Sequence, residues 1–177
     1  MSRSASVGRL AAVVVLSTLA AAGCGYNLAG RGPGVLPESV KSIAVVPFEN
    51  RTTRPEIEQR ITEAVALQLT RRGGYRVVTD RTKADAVLDG AVVEYRTVPV
   101  QFTPGGRGNR VEAEVRIQAT LRDTSDDKVL WSQSGLIFRR QYDVPESGDF
   151  FDQETVALDE LATGAAGVLV TSIVEGF

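Results

Sequence analysis

Apolar and polar residues alternate strictly along the whole length of VEAEVRIQATLR, residues 111–122. Alternation with a period of two is typical of a β-strand that has one buried face and one wet face. The polar segment DTSDDK at 123–128 predicts a turn, and 129–138 predicts the returning strand. The centre of the fold is therefore predicted to be an antiparallel hairpin with one apolar face.

Three further strands are predicted upstream of this hairpin. The apolar run SIAVVPF at 42–48 fits a strand covered on both faces, and residues 75–80 and 86–95 are also rich in β-formers. A helix separates the first of these strands from the second. The order strand, helix, strand favours a parallel pair of strands joined by a crossover.

Two helices are predicted from apolar residues at helical spacing. Thr53 and Glu56 have the spacing of a capping box at the start of the first helix, and Gly73 and Gly74 are expected to end it. The apolar stripe of the first helix comprises Ile57, Ile61, Ala64, Val65 and Leu69. That of the last helix comprises Leu158, Leu161, Ala162, Ala165, Val168, Leu169 and Ile173.

Together these elements predict an α+β fold, a two-layer sandwich with two helices packed on one face of a mixed four- to five-stranded sheet. The other sheet face is polar and remains uncovered. The predicted core comprises Ile43, Val45, Ile61, Val65, Val115, Ile117, Leu161 and Val168.

The N-terminal segment has the features of a secretory signal. Arg3 and Arg9 precede an apolar run at 10–22, and small residues stand directly before Cys24, the only cysteine. The run is shorter than the roughly 20 residues that a transmembrane helix needs. Cys24 therefore looks like the acylated first residue of a bacterial lipoprotein, although Ala21 stands where that pattern usually has Leu. The alternative is an ordinary secreted chain.

This gives three predicted parts. Residues 1–23 are a lipoprotein signal peptide, and 24–41 are the acylated cysteine and a tether rich in Gly and Pro. Residues 42–177 form a single α+β domain. Acyl chains on Cys24 would anchor the protein to a membrane without spanning it.

Composition excludes several classes of function. The chain has 20 basic and 22 acidic residues, and removal of Arg3 and Arg9 leaves 18 against 22, a net charge of about −4, so nucleic-acid binding is not expected. The chain has no histidine and one cysteine, which removes Ser-His-Asp catalysis and the usual zinc sites. No enzyme activity, metal or cofactor is predicted.

One pair of carboxylates keeps a hydrolase interpretation open. Glu112 and Glu114 lie on the same strand face, as a glycosidase pair would, but Arg116 lies on that face too and can neutralise them. A solvated face is the simpler interpretation. Asp126 and Asp127 suit a hairpin turn.

Arginines mark two candidate binding regions. Arg107 and Arg110 lie in PVQFTPGGRGNR at 99–110, the predicted hairpin tip, and guanidinium groups suit phosphate because they offer paired donors. The alternative is that they keep an exposed loop soluble. Arg139 and Arg140 end the predicted strand 129–138 and are a second basic pair. The aromatic residues Trp131, Phe150 and Phe151 are interpreted as core or interface anchors.

Several strings, in this order, resemble the LptE family of lipopolysaccharide-assembly lipoproteins. They are CGYNLAG, LPESVKSIAVVPFENRTTRPEIEQRITEAV, GYRVVTD with ADAVLDGAV, KVLW, YDV, and FFDQETVALDELA with SIVEGF. The resemblance covers essentially the whole chain after the signal segment. Single strings such as IAVVPFEN also occur in other periplasmic lipoproteins, so the joint order carries the resemblance.

The resemblance implies a structural partner and not a catalyst. Proteins of this family plug the outer-membrane β-barrel LptD, support its assembly, and can bind lipopolysaccharide through basic residues near the hairpin tip, where Arg107 is the closest match. Gly25 in place of Asp after the cysteine favours, by resemblance to bacterial lipoproteins, the cell outer membrane, with the body on the periplasmic side and in the barrel lumen. The alternative is another periplasmic lipoprotein, acting as an activator or a secretion-channel subunit.

Overall fold

The computed structural model describes residues 36–144 and 150–176. The predicted signal peptide, Cys24 and most of the predicted tether lie outside these residues. Leu36 and Val40, which precede the first strand, are buried in the core. The folded body therefore includes residues just before the first strand.

Six strands and two helices form the described part of the chain. The strands of the N-terminal part are β1 (Ser42–Val45), β2 (Glu49–Asn50) and β3 (Arg76–Val78), with helix α1 (Ile57–Gly73) between β2 and β3. A short 3-10 helix, Arg81–Lys83, leads into β4. The long strands β4 (Ala86–Phe102), β5 (Gly108–Asp123) and β6 (Val129–Asp143) follow, and helix α2 (Phe150–Glu175) comes last.

The sheet has the order β3-β1-β4-β5-β6, and β2 pairs with β4 beside this path. β1 is parallel to both β3 and β4, whereas β4, β5 and β6 are antiparallel neighbours. The predicted parallel pair and the predicted hairpin are thus confirmed. The α+β sandwich is also confirmed, with six strands instead of four or five because the two residues of β2 form an additional short strand.

The core lies between the two helices and the apolar face of the sheet. Of the predicted core, six residues are buried: Ile43, Ile61, Val65, Val115, Ile117 and Leu161. Val45 is half-buried at the core's edge. The prediction for Val168 is wrong, because its side chain is 44% exposed. Val168 lies at the margin of the buried face of α2, beside Gly164 and Gly167, where no described element covers it.

The start of α1 differs from the prediction, whereas its end does not. The residue before the helix is Glu56, which has φ 64° and makes no side-chain cap, so the predicted capping box does not form. Asn50 organises this segment instead, since its Nδ2 donates to Glu58 Oε2 at 2.7 Å and to the carbonyl of Arg54 at 2.8 Å. At the other end Gly74, with φ 65°, ends the helix as predicted.

Helix α2 is unusually apolar. Within Glu154–Glu175 a window of 18 residues has a mean hydropathy of 1.4, so by length and composition alone the helix could cross a membrane. In the fold, however, 56% of this window is buried, as for the core helix of a globular domain. We therefore interpret α2 as the main cover of the sheet.

Candidate functional site

The hairpin of β4 and β5 extends beyond the core and forms the most exposed part of the sheet. The seven residues at 96–102 of β4 are all exposed, whereas most of the first half of the strand is buried. The strand was predicted to end at residue 95, but it continues to Phe102. The hairpin tip, here residues 98–110, is therefore a projecting β-ribbon and not a long flexible loop.

A tight turn closes this tip. The N–H of Thr103 donates to the carbonyl of Arg107 at 2.8 Å, and the N–H of Gly106 donates to the carbonyl of Thr103 at 2.9 Å. Gly106 has φ 79°, in the left-handed region where glycine carries no steric cost. The backbone N–H of Arg107 also donates to Thr103 Oγ1. The turn thereby fixes the backbone from which the Arg107 side chain extends.

Three large apolar side chains lie exposed on the same ribbon. Val98 is 47% exposed, Val100 43% and Phe102 59%. They occupy every second position of β4, with Pro99 and Gln101 between them, but the register shifts at 99–101 and 101–102 mean that this spacing does not place all three on one face of the ribbon. Exposed apolar side chains grouped in this way commonly mark a binding surface. The tip thus combines an apolar edge with arginine residues.

Arg110 does not lie in a loop, as was predicted, but in strand β5. Its direct partner across the sheet is Asp143 of β6, and Arg110 Nε donates to Asp143 Oδ1 at 2.7 Å. This hydrogen bond raises the pKa of Arg110 and lowers the pKa of Asp143. Both side chains are exposed, so the ion pair is weak, and Arg110 can exchange Asp143 for another anion.

On the outer sheet face, which the helices do not cover, one carboxylate is buried between two arginines. Glu114 on β5, the middle one of the three long strands, faces Arg96 of β4 and Arg139 of β6 in register, and its side chain is only 3% exposed. Arg96 Nε donates to Glu114 Oε1 at 2.9 Å, and Arg139 donates to Oε2. The pKa of Glu114 is lowered, chiefly by the hydrogen bond from Arg96, against the opposing effect of burial.

This arrangement argues against the hydrolase interpretation. Glu114 accepts hydrogen bonds from two guanidinium groups and stays ionised, so it is not available as a general acid. Arg116, expected to neutralise the pair, instead forms a salt bridge with Glu94 at 3.1 Å. Glu112 accepts a hydrogen bond from Gln141. Among the described residues no group of three metal-ligating side chains is arranged to hold a metal ion.

The second basic pair is divided between the two faces of β6. Arg139 and Arg140 were predicted to end a strand, but β6 continues to Asp143. Arg139 bonds Glu114 on the outer face, whereas Arg140 forms a salt bridge with Glu160 of α2 at 2.7 Å. Alternation along a strand separates these neighbours, so they do not form one basic patch.

The remaining predicted residues have structural positions. Asp126 accepts a hydrogen bond from the N–H of Lys128, and Asp127 has φ 56°, which confirms the hairpin turn. Trp131 is buried in the core, as expected for an anchor. The side chains of Phe150 and Phe151 lie outside the described residues.

Sequence reasoning missed the apolar edge of the tip. The signal was present, because Val98, Val100 and Phe102 alternate with other residues as in a strand. Pro99, which cannot donate to a strand ladder, obscured it. The ladder is irregular directly after the proline, with register shifts at 99–101 and 101–102, and such irregular positions tolerate proline.

The fold resembles those of solved bacterial proteins. The solution structure of a lipoprotein B from Nitrosomonas europaea is 15% identical in sequence, with a TM-score of 0.54, over 85% of this chain and 90% of that one. A dodecameric PelC variant from Paraburkholderia phytofirmans is 22% identical, with a TM-score of 0.52, over 81% of this chain and 96% of that one. At such identities the likeness concerns the fold alone. None of the curated proteins compared matches the chain.

A family model places the chain more closely. The model for lipopolysaccharide-assembly LptE matches residues 40–173, which include all six strands and nearly all of both helices. The chain belongs to the LptE family, and the resemblance found in the sequence is confirmed.

Proposed function

We propose that this protein plugs and helps to assemble an LptD-type β-barrel in the outer membrane, and that the tip of its β4–β5 hairpin binds lipopolysaccharide. Family membership supports the role in lipopolysaccharide assembly. The observation that carries the binding role is the tip itself, where Phe102, Val98 and Val100 are exposed beside Arg107. Lipopolysaccharide has the matching chemistry, since it joins acyl chains to phosphate groups.

Each part of the tip has a separate task in this proposal. The apolar edge contacts acyl chains, since exposed Val and Phe side chains gain free energy when they leave water. Arg107 pairs with a phosphate through two N–H donors. Arg110 exchanges its exposed pair with Asp143 for a second phosphate.

The outer sheet face suits the plug role. Several of its charges are paired within the sheet, by Arg96 and Arg139 with Glu114 and by Arg116 with Glu94. A polar surface with internally paired charges fits the polar interior of an outer-membrane barrel. The two-layer body would fill the lumen while the tip extends from it.

Acylation at Cys24 supplies the membrane anchor in this proposal. Two or more acyl chains give stable attachment, which one chain does not. Residues 24–35 then form the link between the membrane surface and the folded body.

The binding role is tested by titrating lipopolysaccharide into the wild-type protein and two tip variants. We expect Arg107→Glu to lower the affinity by about ten- to a hundredfold, because a charge-assisted hydrogen bond to phosphate is lost. Phe102→Ser should lower it through lost apolar contact. Unchanged affinity in both folded variants would exclude the tip as the binding site.

Matched controls come from the opposite end of the sheet. Arg122→Glu makes the same charge change at an exposed arginine for which no ion pair is found among the described residues. Val129→Ser removes an apolar side chain that is 45% exposed. If these variants lose as much affinity as the tip variants, binding depends on net charge or hydrophobicity and not on the tip.

A further inference from the structure

A groove on the helical side of the molecule is separate from the hairpin tip. It lies where the C-terminal parts of α1 and α2 meet β6, and its volume is about 610 Å³. Small-molecule sites commonly have volumes of about 300–1,000 Å³. The residues used below are Arg72 of α1, Leu136 of β6, and Gly164, Gly167, Val168 and Ser172 of α2.

The groove is open beside Gly167, which has no side chain to fill it. A Cβ atom at Gly167 would meet nothing within 4 Å, so the space beside it is unfilled by the described residues. Val168 borders that space and is 44% exposed, although the periodicity of α2 places it with the core residues. Because no described element covers Val168, its exposed side chain offers an apolar surface to a ligand in the groove.

Of the described residues that line the groove, Arg72 alone is charged. Its Nη1 donates to Thr171 Oγ1 at 2.8 Å, which holds the guanidinium at the groove. Among the described residues no carboxylate forms a salt bridge with Arg72, so none of its five N–H donors has an anionic partner there. The wall therefore combines an apolar surface with one positive charge that no carboxylate balances.

Ser172 adds an unsatisfied polar group to the same wall. Its side chain is 6% exposed, and no hydrogen-bond partner is found for its Oγ among the described residues. Buried hydroxyl groups are normally hydrogen-bonded, so such an exception calls for an explanation. Its Oγ has no accessible surface as the side chain lies, so a polar atom of a ligand becomes its partner only if the side chain turns toward the groove.

We propose that this groove binds one acyl chain of an anionic lipid. The chain lies along Gly167 against Val168 and Leu136, and the anionic head pairs with Arg72. This site goes beyond the proposed function and does not depend on the hairpin tip. The positive charge of Arg72 at an apolar wall favours an anionic amphiphile over a cationic one. The empty space at Gly167 favours a slender acyl chain over a side chain from a second copy of this protein.

The probe is dodecyl phosphate, titrated below its micelle concentration into the mature chain carrying Cys24→Ala, so that no acyl chain of the protein competes. We expect one bound molecule and shifted amide resonances at Gly164 and Gly167. Inorganic phosphate and dodecyltrimethylammonium, which carry only the head or the opposite charge, should not bind there. Across octyl, decyl and dodecyl phosphate the affinity should rise by up to roughly fourfold per methylene.

Two pairs of variants locate the site. Gly167→Leu fills the groove and should abolish binding, whereas Gly167→Ala leaves it open and should not. Arg72→Gln should lower the affinity at least fivefold, whereas Arg71→Gln, at the neighbouring arginine outside the groove, should leave it unchanged. If Gly167→Leu does not fold, Val168→Asp at an exposed position replaces it and should also abolish binding.

Four results would overturn the proposal. One is equal binding of the cationic amphiphile, and another is full affinity in Gly167→Leu. The third is a self-associating chain that Gly167→Leu turns into a monomer, because the groove would then be an interface between copies. Loss of binding in Arg107→Glu with unshifted Gly164 and Gly167 would place the probe at the tip, which would contradict this site while supporting the proposed function.

Discussion

Glu114 and Arg96 are direct partners across β4 and β5, and Arg96 Nε lies 2.9 Å from Glu114 Oε1. Arg139 holds the other carboxylate oxygen from β6. A carboxylate in the middle of a sheet face is thus satisfied from both neighbouring strands, and the three long strands are tied together on the side that no helix covers. The strength of this arrangement can be measured.

Glu114→Gln should destabilise the protein, since an amide keeps the shape but leaves two arginines without their shared charge. The arginines are half-exposed, so we expect the free energy of unfolding to fall by about 1–2 kcal/mol at pH 7. Urea denaturation measures this change. Glu112→Gln, at a more exposed position on the same strand face, should have a smaller effect.

The difference between wild type and Glu114→Gln should depend on pH. The pKa of Glu114 is lowered in the folded state, so its contribution is present above the unfolded-state pKa of about 4.3 and is lost as the pH falls through the folded-state value. The two unfolding curves should therefore converge in acid. A difference that stays constant from pH 7 to pH 2 would show that the charge is not responsible.

Two glycines of α2 should respond in opposite ways to alanine. A Cβ at Gly164 would come within 2.7 Å of Cε1 of Phe138, whereas a Cβ at Gly167 meets nothing. Gly167→Ala should raise the free energy of unfolding by about 0.5–1 kcal/mol through helix propensity. Gly164→Ala should lower it by about 1 kcal/mol or more because the ring must shift.

The Phe138 contact can be checked by a double-mutant cycle. Phe138→Leu should relieve part of the cost of Gly164→Ala, so that the combined effect is smaller than the sum of the two single effects. Equal stabilisation by alanine at both glycines would mean that the Phe138 ring does not pack on α2 as described.

The buried hydroxyl of Tyr95 should make the protein less stable at high pH. Burial raises the pKa of Tyr95 to about 12, and no partner is found for its hydroxyl among the described residues. An unfolded tyrosine ionises near pH 10, whereas Tyr95 in the folded state ionises only near pH 12. The free energy of unfolding therefore falls as the pH rises from about 10 to about 12. Tyr95→Phe should match or exceed wild type at pH 7 and lose less stability across that interval.

Urea unfolding at pH 7, 10 and 11.5 provides the test for Tyr95. Tyr142→Phe is a useful comparison, since burial also raises the pKa of Tyr142. A loss of more than about 1 kcal/mol in Tyr95→Phe at pH 7 would show that the hydroxyl is hydrogen-bonded after all.

Membrane sorting tests the proposed anchor. If Cys24 is acylated, the membrane-extracted chain should begin at Cys24 and carry the mass of its acyl chains. Gly25→Asp should then retain the protein in the inner membrane, whereas Gly25→Ser should leave it in the outer membrane fraction. Density-gradient separation of the membranes measures both, and an unacylated soluble chain would contradict the anchor.

The fold was largely predictable because its signals are local. Strict alternation at 111–122 identified β5, and the paired glycines identified the end of α1. The start of α1 was not predictable in the same way, because Asn50 orders it through contacts with Glu58 and Arg54 that a capping pattern does not contain. Val168 was misplaced because periodicity gives a face but not whether an element covers it.

The site was only partly predictable, for a related reason. Sequence spacing put Arg107 at the tip, but pairing across strands decided that Arg110 meets Asp143 and that Glu114 meets Arg96 and Arg139. These partners are separated by 18 to 33 positions in the chain. Register, which depends on the whole sheet, therefore decides which charges remain available for a ligand.

The most direct test of the proposed function is to purify the tagged, full-length protein from native outer membranes in mild detergent and identify what stays bound after a stringent wash. We predict an LptD-type β-barrel in a one-to-one ratio, retained in the Arg107→Glu variant because the tip binds lipid and not the barrel. A folded protein acylated at Cys24 that retains no such barrel would contradict the account.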